Sequence, residues 1–273
     1  MAITPIALTI AGCDPSGGAG IQADLKTFAA CKVYGASVVS ALTAQNTRGV
    51  QAVEPVSAHF VVQQLQVLLA DMPIVAVKTG MLYSAEIIHA LLEVLPVYLP
   101  LVVDPVLVSS DGSRLLDHAG EQALREKLLP RATLITPNLD EAAVLLQCQR
   151  ATSDIDMIDQ AQALLELGPQ AVLIKGGHSE GPVASDLLML SSCMVAAGAE
   201  QQFIFNSPRL YVNNSHGTGC TLSAVVCAEL AKGERLLAAI ATAKEFINGA
   251  LVRADEFELG SGAGSLHHFH AFY

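Results

Sequence analysis

The chain has 273 residues, of which 52% are hydrophobic and only 15% charged, and it contains no tryptophan. Its formal net charge is −11, from 15 basic and 26 acidic residues, and no cluster of Lys or Arg is present, which argues against nucleic-acid binding because phosphate contacts need a basic face. The length and the apolar fraction predict one α/β domain over 1–273 with an extensive aliphatic core.

The apolar content does not come from a membrane span. The most apolar stretch, 87–103, is interrupted by Glu93 and Pro96, which leaves each side too short to cross a bilayer. The first basic residue is Lys26, so no signal peptide is predicted. The six cysteines show neither metal-ligand nor paired spacing. We therefore expect a cytoplasmic protein with reduced thiols and no membrane partner.

The first predicted unit joins a strand, a glycine-rich loop and a helix. The apolar run 6–12 predicts a buried strand, and apolar residues at helical spacing follow the loop 13–20. This arrangement places a ligand at the carboxyl edge of a parallel sheet. The loop has neither the Gly-Lys-Ser/Thr of a P-loop nor the Gly-x-Gly-x-x-Gly order of a dinucleotide fold.

Strands and helices alternate along most of the remaining chain. Serines at 57, 84 and 153 are typical helix caps. The repeated strand–helix units predict a mostly parallel central sheet with helices on both faces. We expect a polar loop over 43–49, edge strands in hairpins over 186–212, and two closing helices. Further strands are predicted over 37–42, 74–78, 101–106, 133–136 and 171–174.

A second glycine-rich turn, 216–220, leads directly into a helix and presents Cys220 in its first turn. Unpaired N–H groups and the positive end of the helix dipole make such a start an anion site, and Gly217 and Gly219 let a phosphate approach the backbone. A thiol there has its pKa, ordinarily about 8.5, lowered. We therefore predict a general base beside an oxyanion hole. This segment leaves open the alternative of a tight turn with a buried, inert cysteine.

Polar or ligand-facing residues follow the predicted strands where each strand ends. In an open parallel sheet those ends share one rim, at which ligands bind. Two of the residues, Asp104 and Glu141, carry oxygen donors suited to Mg²⁺, and Lys175 can neutralise a phosphate. Together with the anion site at 216–220, these three residues predict phosphoryl transfer. The full set is Gln45, Met81, Asp104, Asn138, Glu141, Lys175 and Cys220.

Seven sequence blocks, in order, resemble the ribokinase-like superfamily and, within it, the hydroxymethylpyrimidine/phosphomethylpyrimidine kinases of thiamine biosynthesis. The blocks are 11–24, 44–47, 78–81, 103–106, 135–142, 175–178 and 216–221, and the tail 266–270 is also similar. The resemblance implies a three-layer ribokinase-like α/β fold. It further implies that Mg²⁺–ATP phosphorylates 4-amino-5-hydroxymethyl-2-methylpyrimidine and then its monophosphate.

The same resemblance implies where the pyrimidine binds. The ring would lie on the first loop near Ala19, with Gln45 reading its edge. Met81 and either Val106 or Leu107 would pack against its faces. Relatives that prefer pyridoxal tend to lose the glutamine, so Gln45 argues against a pyridoxal kinase.

For the nucleotide end, the resemblance implies that Asn138, Glu141 and Lys175 lie on the side of ATP and Mg²⁺, that Thr218 lies near the phosphates, and that Lys244 approaches the adenine or the phosphates. The magnesium role of Asp104 rests on its oxygen donors and its place at a strand end. Cys220 stands where sugar kinases of the superfamily have an aspartate base, and the amides of 217–220 would hold the transferring phosphoryl group.

Two rival functions stay open at this point: a pyridoxine/pyridoxal kinase, and a catalytically silent protein that binds the pyrimidine. No sugar-kinase β-lid is evident, so a short flap or a dimer partner would cover the site, and the apolar composition and aromatic tail favour a homodimer. His267, His268 and His270 are expected in a surface or interface tail. The ring of His216 is expected to bind backbone rather than act as a base.

Overall fold

An eight-stranded sheet forms the centre of the fold in the computed structural model, which describes residues 4–108, 114–177 and 182–273. His178 of the sixth block lies outside the described residues. The strands are β1 (Ile6–Ala11), β2 (Tyr34–Val39), β3 (Ala41–Asn46), β4 (Gly49–Pro55), β5 (Ile74–Thr79), β6 (Leu101–Val103), β7 (Leu134–Ile135), β8 (Ala171–Ile174), β9 (Val183–Leu190) and β10 (Gln202–Pro208). In the sheet the order is β10-β9-β8-β7-β6-β5-β1-β2; β9 pairs antiparallel with β8 and with β10, and the other neighbouring strands pair parallel.

Helices cover both faces of this sheet. They are α1 (Gly20–Ala30), α2 (Ala58–Asp71), α3 (Ala85–Val94), α4 (His118–Ala123), α5 (Leu139–Leu146), α6 (Asp154–Leu165), α7 (Thr218–Ala231) and α8 (Leu236–Val252), and a short π-helix (Leu124–Leu128) continues α4. Within the part of the chain that the structure describes, no helix is long and apolar enough to cross a membrane.

The strands supply two hydrophobic cores, one on each face. In β8, Val172 and Ile174 pack with α2 to α6, whereas Ala171 and Leu173 pack with α1, α7 and α8. Successive side chains of a strand point to opposite faces, so an apolar run with no polar interruptions is buried on both sides. The predicted three-layer α/β fold with a mostly parallel sheet is confirmed.

The predicted helix caps are also present. The Ser57 and Ser84 side chains accept hydrogen bonds from backbone N–H groups three residues later, and Ser153 forms a capping box with Asp156. Each cap pairs an N–H group that the helix leaves unpaired, and a cap of this kind is worth about 1 kcal/mol. Short-range polar signals were thus sufficient to locate these helix starts.

The segment predicted as a loop over 43–49 lies instead within a β-hairpin, as most of β3, the turn and the first residue of β4. β3 and β4 pair antiparallel in a separate two-stranded sheet, and the strand predicted over 37–42 is divided between β2 and β3. Along β3 the exposed and half-buried positions alternate. The period of two is that of a strand, but its polar residues concealed it from the hydrophobic pattern. We call this element the flap hairpin.

Two of the three histidines expected in a surface or interface tail are buried within the chain. His267 and His268 are buried, and His268 Nε2 lies 3.0 Å from the Thr221 hydroxyl at the start of α7. Burial lowers the pKa of His268 to about 3, so its ring is neutral. The His267 ring packs on Phe257 with centroids 4.3 Å apart. These contacts join distant parts of the chain, which a local pattern does not reveal.

Candidate active site

A cleft of about 890 Å³ opens at the carboxyl ends of the parallel strands. It gathers every residue for which the sequence predicted a catalytic, binding or metal role. These are Ala19, Gln45, Met81, Asp104, Val106, Asn138, Glu141, Lys175, Gly217, Thr218, Gly219, Cys220 and Lys244. The individual roles stay predictions, but the residues share one rim of the sheet as expected.

The two glycine-rich turns touch each other at the start of α7. Gly217 is the N-cap with φ of +83°, and a Cβ there would lie 1.8 Å from the carbonyl oxygen of Gly18. A Cβ on Gly219 would lie 3.0 Å from Lys175 Nζ. Only glycine combines this backbone conformation with such close approach at 217. The unpaired N–H groups of α7 and the Lys175 ammonium therefore face the same part of the cleft.

Cys220 does not have the lowered thiol pKa that its place at a helix start predicted. Burial raises its pKa to about 11, and the carboxylates of Asp24 and Asp104 add to the rise, against the opposing Lys78 ammonium. The loss of water around the thiol outweighs the helix dipole and the nearby cation. The thiol therefore keeps its proton at neutral pH.

Lys175 holds two carboxylates at the end of β8. Its Nζ donates to Asp104 Oδ1 at 2.9 Å and lies 3.9 Å from Glu141 Oε2. Burial opposes ionisation of Asp104, but the Lys175 and Lys78 ammonium groups outweigh it and hold the Asp104 pKa below its ordinary value. For Glu141, burial dominates and raises the pKa to about 7. The cluster thus contains one firmly ionised carboxylate and one that titrates near neutrality.

The start of α5 fixes the second carboxylate. Glu141 Oε2 accepts from the Asn138 N–H, and Asn138 Oδ1 accepts from the Glu141 N–H, both at 2.8 Å. This capping box aims the Glu141 carboxylate at Lys175. Among the described residues no cluster of three or more His, Cys, Asp or Glu side chains is suited to a metal. Two carboxylates still fit Mg²⁺ where nucleotide phosphates and water complete the coordination shell.

At the other end of the cleft, the residues predicted to bind the pyrimidine surround the first loop. Ala19 is the N-cap of α1, and the Met81 side chain covers Gly12 so closely that a Cβ there would lie 2.6 Å from Met81 Cε. Gln45 comes from the flap hairpin, whose register shifts between Ala44 and Gln45. A bulge of this kind re-aims the side chain next to it. Thr43, Gln45 and Val50 of the hairpin line the cleft.

His216 was missed as a member of this end. Its ring binds side chains, since Nε2 lies 3.0 Å from Asp14 Oδ2 and 3.3 Å from the Gln45 amide. The expectation that the ring binds backbone is therefore wrong. Asp14 and Gln45 are remote from His216 in sequence, so only the fold reveals the contact.

Two residues predicted to lie near the nucleotide have partners that the sequence did not predict. Lys244 Nζ donates to Asp186 Oδ2 at 2.7 Å, and Asp186 also accepts from the Gly176 N–H at 2.9 Å. Asp186 was predicted only as the start of an edge strand. The Thr218 hydroxyl donates to the Ser215 carbonyl at 2.7 Å. Both side chains line the cleft. A bound nucleotide would either displace the partners of Lys244 and Thr218 or contact the two side chains in their present positions.

Comparison with known proteins agrees with this geometry. A family model described as phosphomethylpyrimidine kinase matches residues 14–267. The chain belongs to this family. A hydroxymethylpyrimidine/phosphomethylpyrimidine kinase from Rhizobium meliloti is 47% identical over 272 residues, covering 99% of this chain and 99% of that protein.

Solved structures of relatives share the fold. An ADP complex of Bacillus subtilis pyridoxal kinase is 37% identical with a TM-score of 0.86, covering 98% of this chain and 99% of that one. A phosphomethylpyrimidine kinase from Clostridium difficile is 39% identical with a TM-score of 0.77, covering 90% of this chain and 99% of that one. The phosphomethylpyrimidine kinase family and a pyridoxal kinase thus have one architecture, and residues in the cleft must distinguish their substrates.

Proposed function

We propose that the protein uses ATP to phosphorylate 4-amino-5-hydroxymethyl-2-methylpyrimidine and then its monophosphate, yielding the diphosphate for thiamine biosynthesis. The observation that carries the proposal is the position of Cys220 and the α7 start between two unlike ends of one cleft. One end has the flap hairpin, with Gln45, and the apolar Met81 side chain; the other has the Lys175 cluster. The family membership supports the same reaction.

The pyrimidine end suits a small, flat, polar ring. Met81 and Val106 offer apolar contact to its faces, and Gln45 offers a donor and an acceptor to its edge. Ala19 opens α1 beneath the ring. The hydroxymethyl group would then point to Cys220.

The first phosphoryl transfer needs a base. Because burial raises the pKa of Cys220 to about 11, only the small ionised fraction of its thiol can act as this base at neutral pH. That thiolate takes the hydroxyl proton as the oxygen attacks the γ-phosphorus of ATP, ADP leaves, and the thiol then gives the proton to water before the next turnover. The N–H groups of 217–220 and the Lys175 ammonium stabilise charge on the transferring group. A positioned base is worth roughly 10²–10⁴-fold in rate.

The second transfer differs in its nucleophile. The monophosphate is already ionised at neutral pH, so its oxygen attacks without giving a proton to Cys220. The α7 N–H groups and Lys175 still serve it. Magnesium, held by Asp104, Glu141 and the phosphates, would neutralise phosphate charge in both steps.

An ADP-release assay with Mg²⁺–ATP tests the proposal against its two rivals. We expect turnover of hydroxymethylpyrimidine and of its monophosphate, with little on pyridoxal. A preference for pyridoxal would assign the protein to the function of its Bacillus subtilis neighbour. Tight pyrimidine binding without ADP release would support the silent-binder alternative.

We further propose that the chain is a single-domain protein that works as a homodimer in the cytoplasm. The support is its apolar composition and the exposed aromatic side chains of Phe272 and Tyr273 at the tail. Light scattering of the purified protein should give twice the chain mass of 28.6 kDa. A monomer at micromolar concentration would contradict the dimer.

A further inference from the structure

Three separate elements meet at one hydrogen-bonded cluster beside the pyrimidine end of the cleft. Asp14 comes from the first loop, Gln45 from the flap hairpin and His216 from the turn before α7. All three side chains line the cleft. The proposed function gives a task to Gln45 but leaves Asp14 and His216 without one, and the following inference rests on that function.

The Asp14 carboxylate accepts hydrogen bonds on both oxygens. Oδ1 accepts from the N–H and the hydroxyl of Ser16, at 2.9 and 2.7 Å, and Oδ2 accepts from the Ala19 N–H at 2.8 Å. Burial alone would raise the pKa of Asp14, but its hydrogen bonds from His216 and Ser16 outweigh burial and hold the pKa below its ordinary value. The carboxylate is therefore ionised and can only accept.

An ionised Asp14 determines where the ring proton of His216 lies. Oδ2 is 3.0 Å from Nε2, so Nε2 must carry a proton toward it. This holds for the neutral ring and for the imidazolium alike. Nε2 is therefore a donor, and any group that shares it must present an acceptor.

That requirement selects one orientation of the Gln45 amide. With its nitrogen toward Nε2 at 3.3 Å, two donors would oppose each other, and the Thr43 hydroxyl would need one proton for both Gln45 Oε1 at 3.2 Å and the Cys13 carbonyl at 2.8 Å. The reversed amide removes the opposition of two donors. Its oxygen then shares the single Nε2 proton with Asp14 Oδ2, the nearer acceptor, in a three-centre hydrogen bond. Its nitrogen donates to Thr43, which keeps its own proton for Cys13. The oxygen and the nitrogen of an amide are nearly isosteric, so the surrounding hydrogen-bond partners determine which orientation the Gln45 amide takes.

Packing keeps the imidazole from turning away. A Cβ at Gly18 would lie 2.5 Å from His216 Cδ2, so the first loop lies directly against the ring. The amide of Gln45, once oriented, still has one N–H and one oxygen lone pair free. An adjacent donor and acceptor match the amino group and ring nitrogen of a 4-aminopyrimidine, an edge that pyridoxal lacks.

We propose that Asp14 and His216 form a positioning pair that fixes the Gln45 amide in one orientation, and that the preference for an aminopyrimidine ring depends on this pair. His216 acts through Gln45. It has no part in phosphoryl transfer, so its loss weakens pyrimidine binding and leaves nucleotide binding intact.

A double-mutant cycle with Gln45→Ala and His216→Phe tests the pair, with the dissociation constants of hydroxymethylpyrimidine and ADP measured by calorimetry. Each single variant should weaken pyrimidine binding about tenfold, because each removes the two hydrogen bonds that the oriented amide gives to the ring, worth about threefold apiece. The double variant should also lose about tenfold, because coupled residues are not additive. ADP affinity should stay within about twofold of wild type, since neither side chain is assigned to the nucleotide end.

Two controls accompany the cycle. His216→Gln keeps a donor at similar reach and should restore most of the affinity, and His216→Leu replaces the Phe variant if that variant does not fold. Arg48, in the turn of the flap hairpin, donates a 2.7 Å hydrogen bond from Nε to the Ser261 hydroxyl. Ser261→Ala removes this bond without changing Gln45 or its partners, and should leave pyrimidine affinity unchanged.

The outcomes separate this inference from the proposed function. A hundredfold, additive loss in the double variant would overturn the positioning pair and leave the kinase function standing. Two other results would also overturn it. One is a His216→Gln variant that binds the pyrimidine as weakly as His216→Phe does. The other is a His216→Phe variant whose ADP affinity falls as much as its pyrimidine affinity. A wild-type protein that binds no hydroxymethylpyrimidine would overturn the proposed function, and the pair with it.

Discussion

Two lysine–aspartate pairs lie near Cys220, and they share a geometry but not an environment. Lys78 Nζ lies 2.9 Å from both carboxylate oxygens of Asp24, and both side chains are fully buried. Lys175 Nζ lies 2.9 Å from Asp104 Oδ1, but 15% of the Lys175 side chain is exposed in the cleft. The first pair is sealed from any ligand, whereas the second can exchange its partner for a phosphate.

Because of this difference, the sealed pair can only stabilise the fold, whereas the open pair can also bind a ligand. A sealed pair contributes only if both partners remain, because the interior has no water to solvate a lone charge. The open pair faces the N–H groups of α7 and can bind an anion. Cys220 is influenced by both, since the Lys78 ammonium opposes the rise of its pKa and the Asp104 carboxylate adds to it.

The largest expected effect follows removal of the group near both pairs. Cys220→Ala should lower kcat for hydroxymethylpyrimidine by roughly 10²–10⁴-fold, because the hydroxyl loses its base. The same variant should affect the monophosphate much less, since that nucleophile is already ionised. Initial rates of ADP release on the two substrates check this. Equal losses on both would remove Cys220 from the role of base.

The sealed pair should determine stability. Lys78→Met leaves Asp24 buried without a cation, and we expect the free energy of unfolding to fall by about 3–5 kcal/mol. Denaturant titration measures this. The matched variant Lys78→Met with Asp24→Leu removes both charges and should recover most of the loss. A single variant as stable as wild type would show that the buried pair is not a stabilising contact.

The open pair should determine turnover instead. Lys175→Met should lower kcat for both substrates by roughly 10²–10³-fold, the usual cost of one lost charge-stabilising donor. Its unfolding free energy should fall less than that of Lys78→Met, because the Lys78 ammonium still acts on Asp104 and water can take the place of the partly exposed Lys175 side chain. Lys232→Met, whose lysine pairs with Glu229, is the matched control and should keep full activity. Near-normal turnover of Lys175→Met would contradict the distinction between the pairs.

The smallest effect is a slope in pH. Burial raises the pKa of Cys220 to about 11, so the thiolate fraction increases with pH up to that value. kcat/KM for hydroxymethylpyrimidine should therefore rise about tenfold per pH unit in the mildly alkaline range. Cys220→Asp is already ionised there and should show no rise. A flat wild-type profile would mean that the thiol does not act as the base.

Much of this arrangement could be predicted from the sequence, because its signals are local. Uninterrupted apolar runs identified most sheet strands, and serine caps identified helix starts. The residues at strand ends converge because parallel strands share a rim. The family motifs added roles to those residues, and the roles remain predictions.

The rest depends on contacts between distant segments. The flap hairpin was missed because its alternation is polar, and the buried tail because His268 binds Thr221 from 47 residues away. The Cys220 pKa was predicted in the wrong direction because burial exceeds the local helix effect. The local sequence reveals the helix start and its glycines, which lower the pKa of a thiol. The burial of the Cys220 thiol, which raises the pKa, depends on how the sheet and the helices pack together.

The most direct test of the central claim is to identify the products by ³¹P nuclear magnetic resonance. Purified protein is incubated with Mg²⁺–ATP and hydroxymethylpyrimidine, and the reaction is followed in time. We predict a monophosphate signal that appears first and then gives way to a diphosphate, with ADP formed at each step. A mixture that shows only unreacted ATP, or a phosphorylated product from pyridoxal but not from the pyrimidine, would contradict the account.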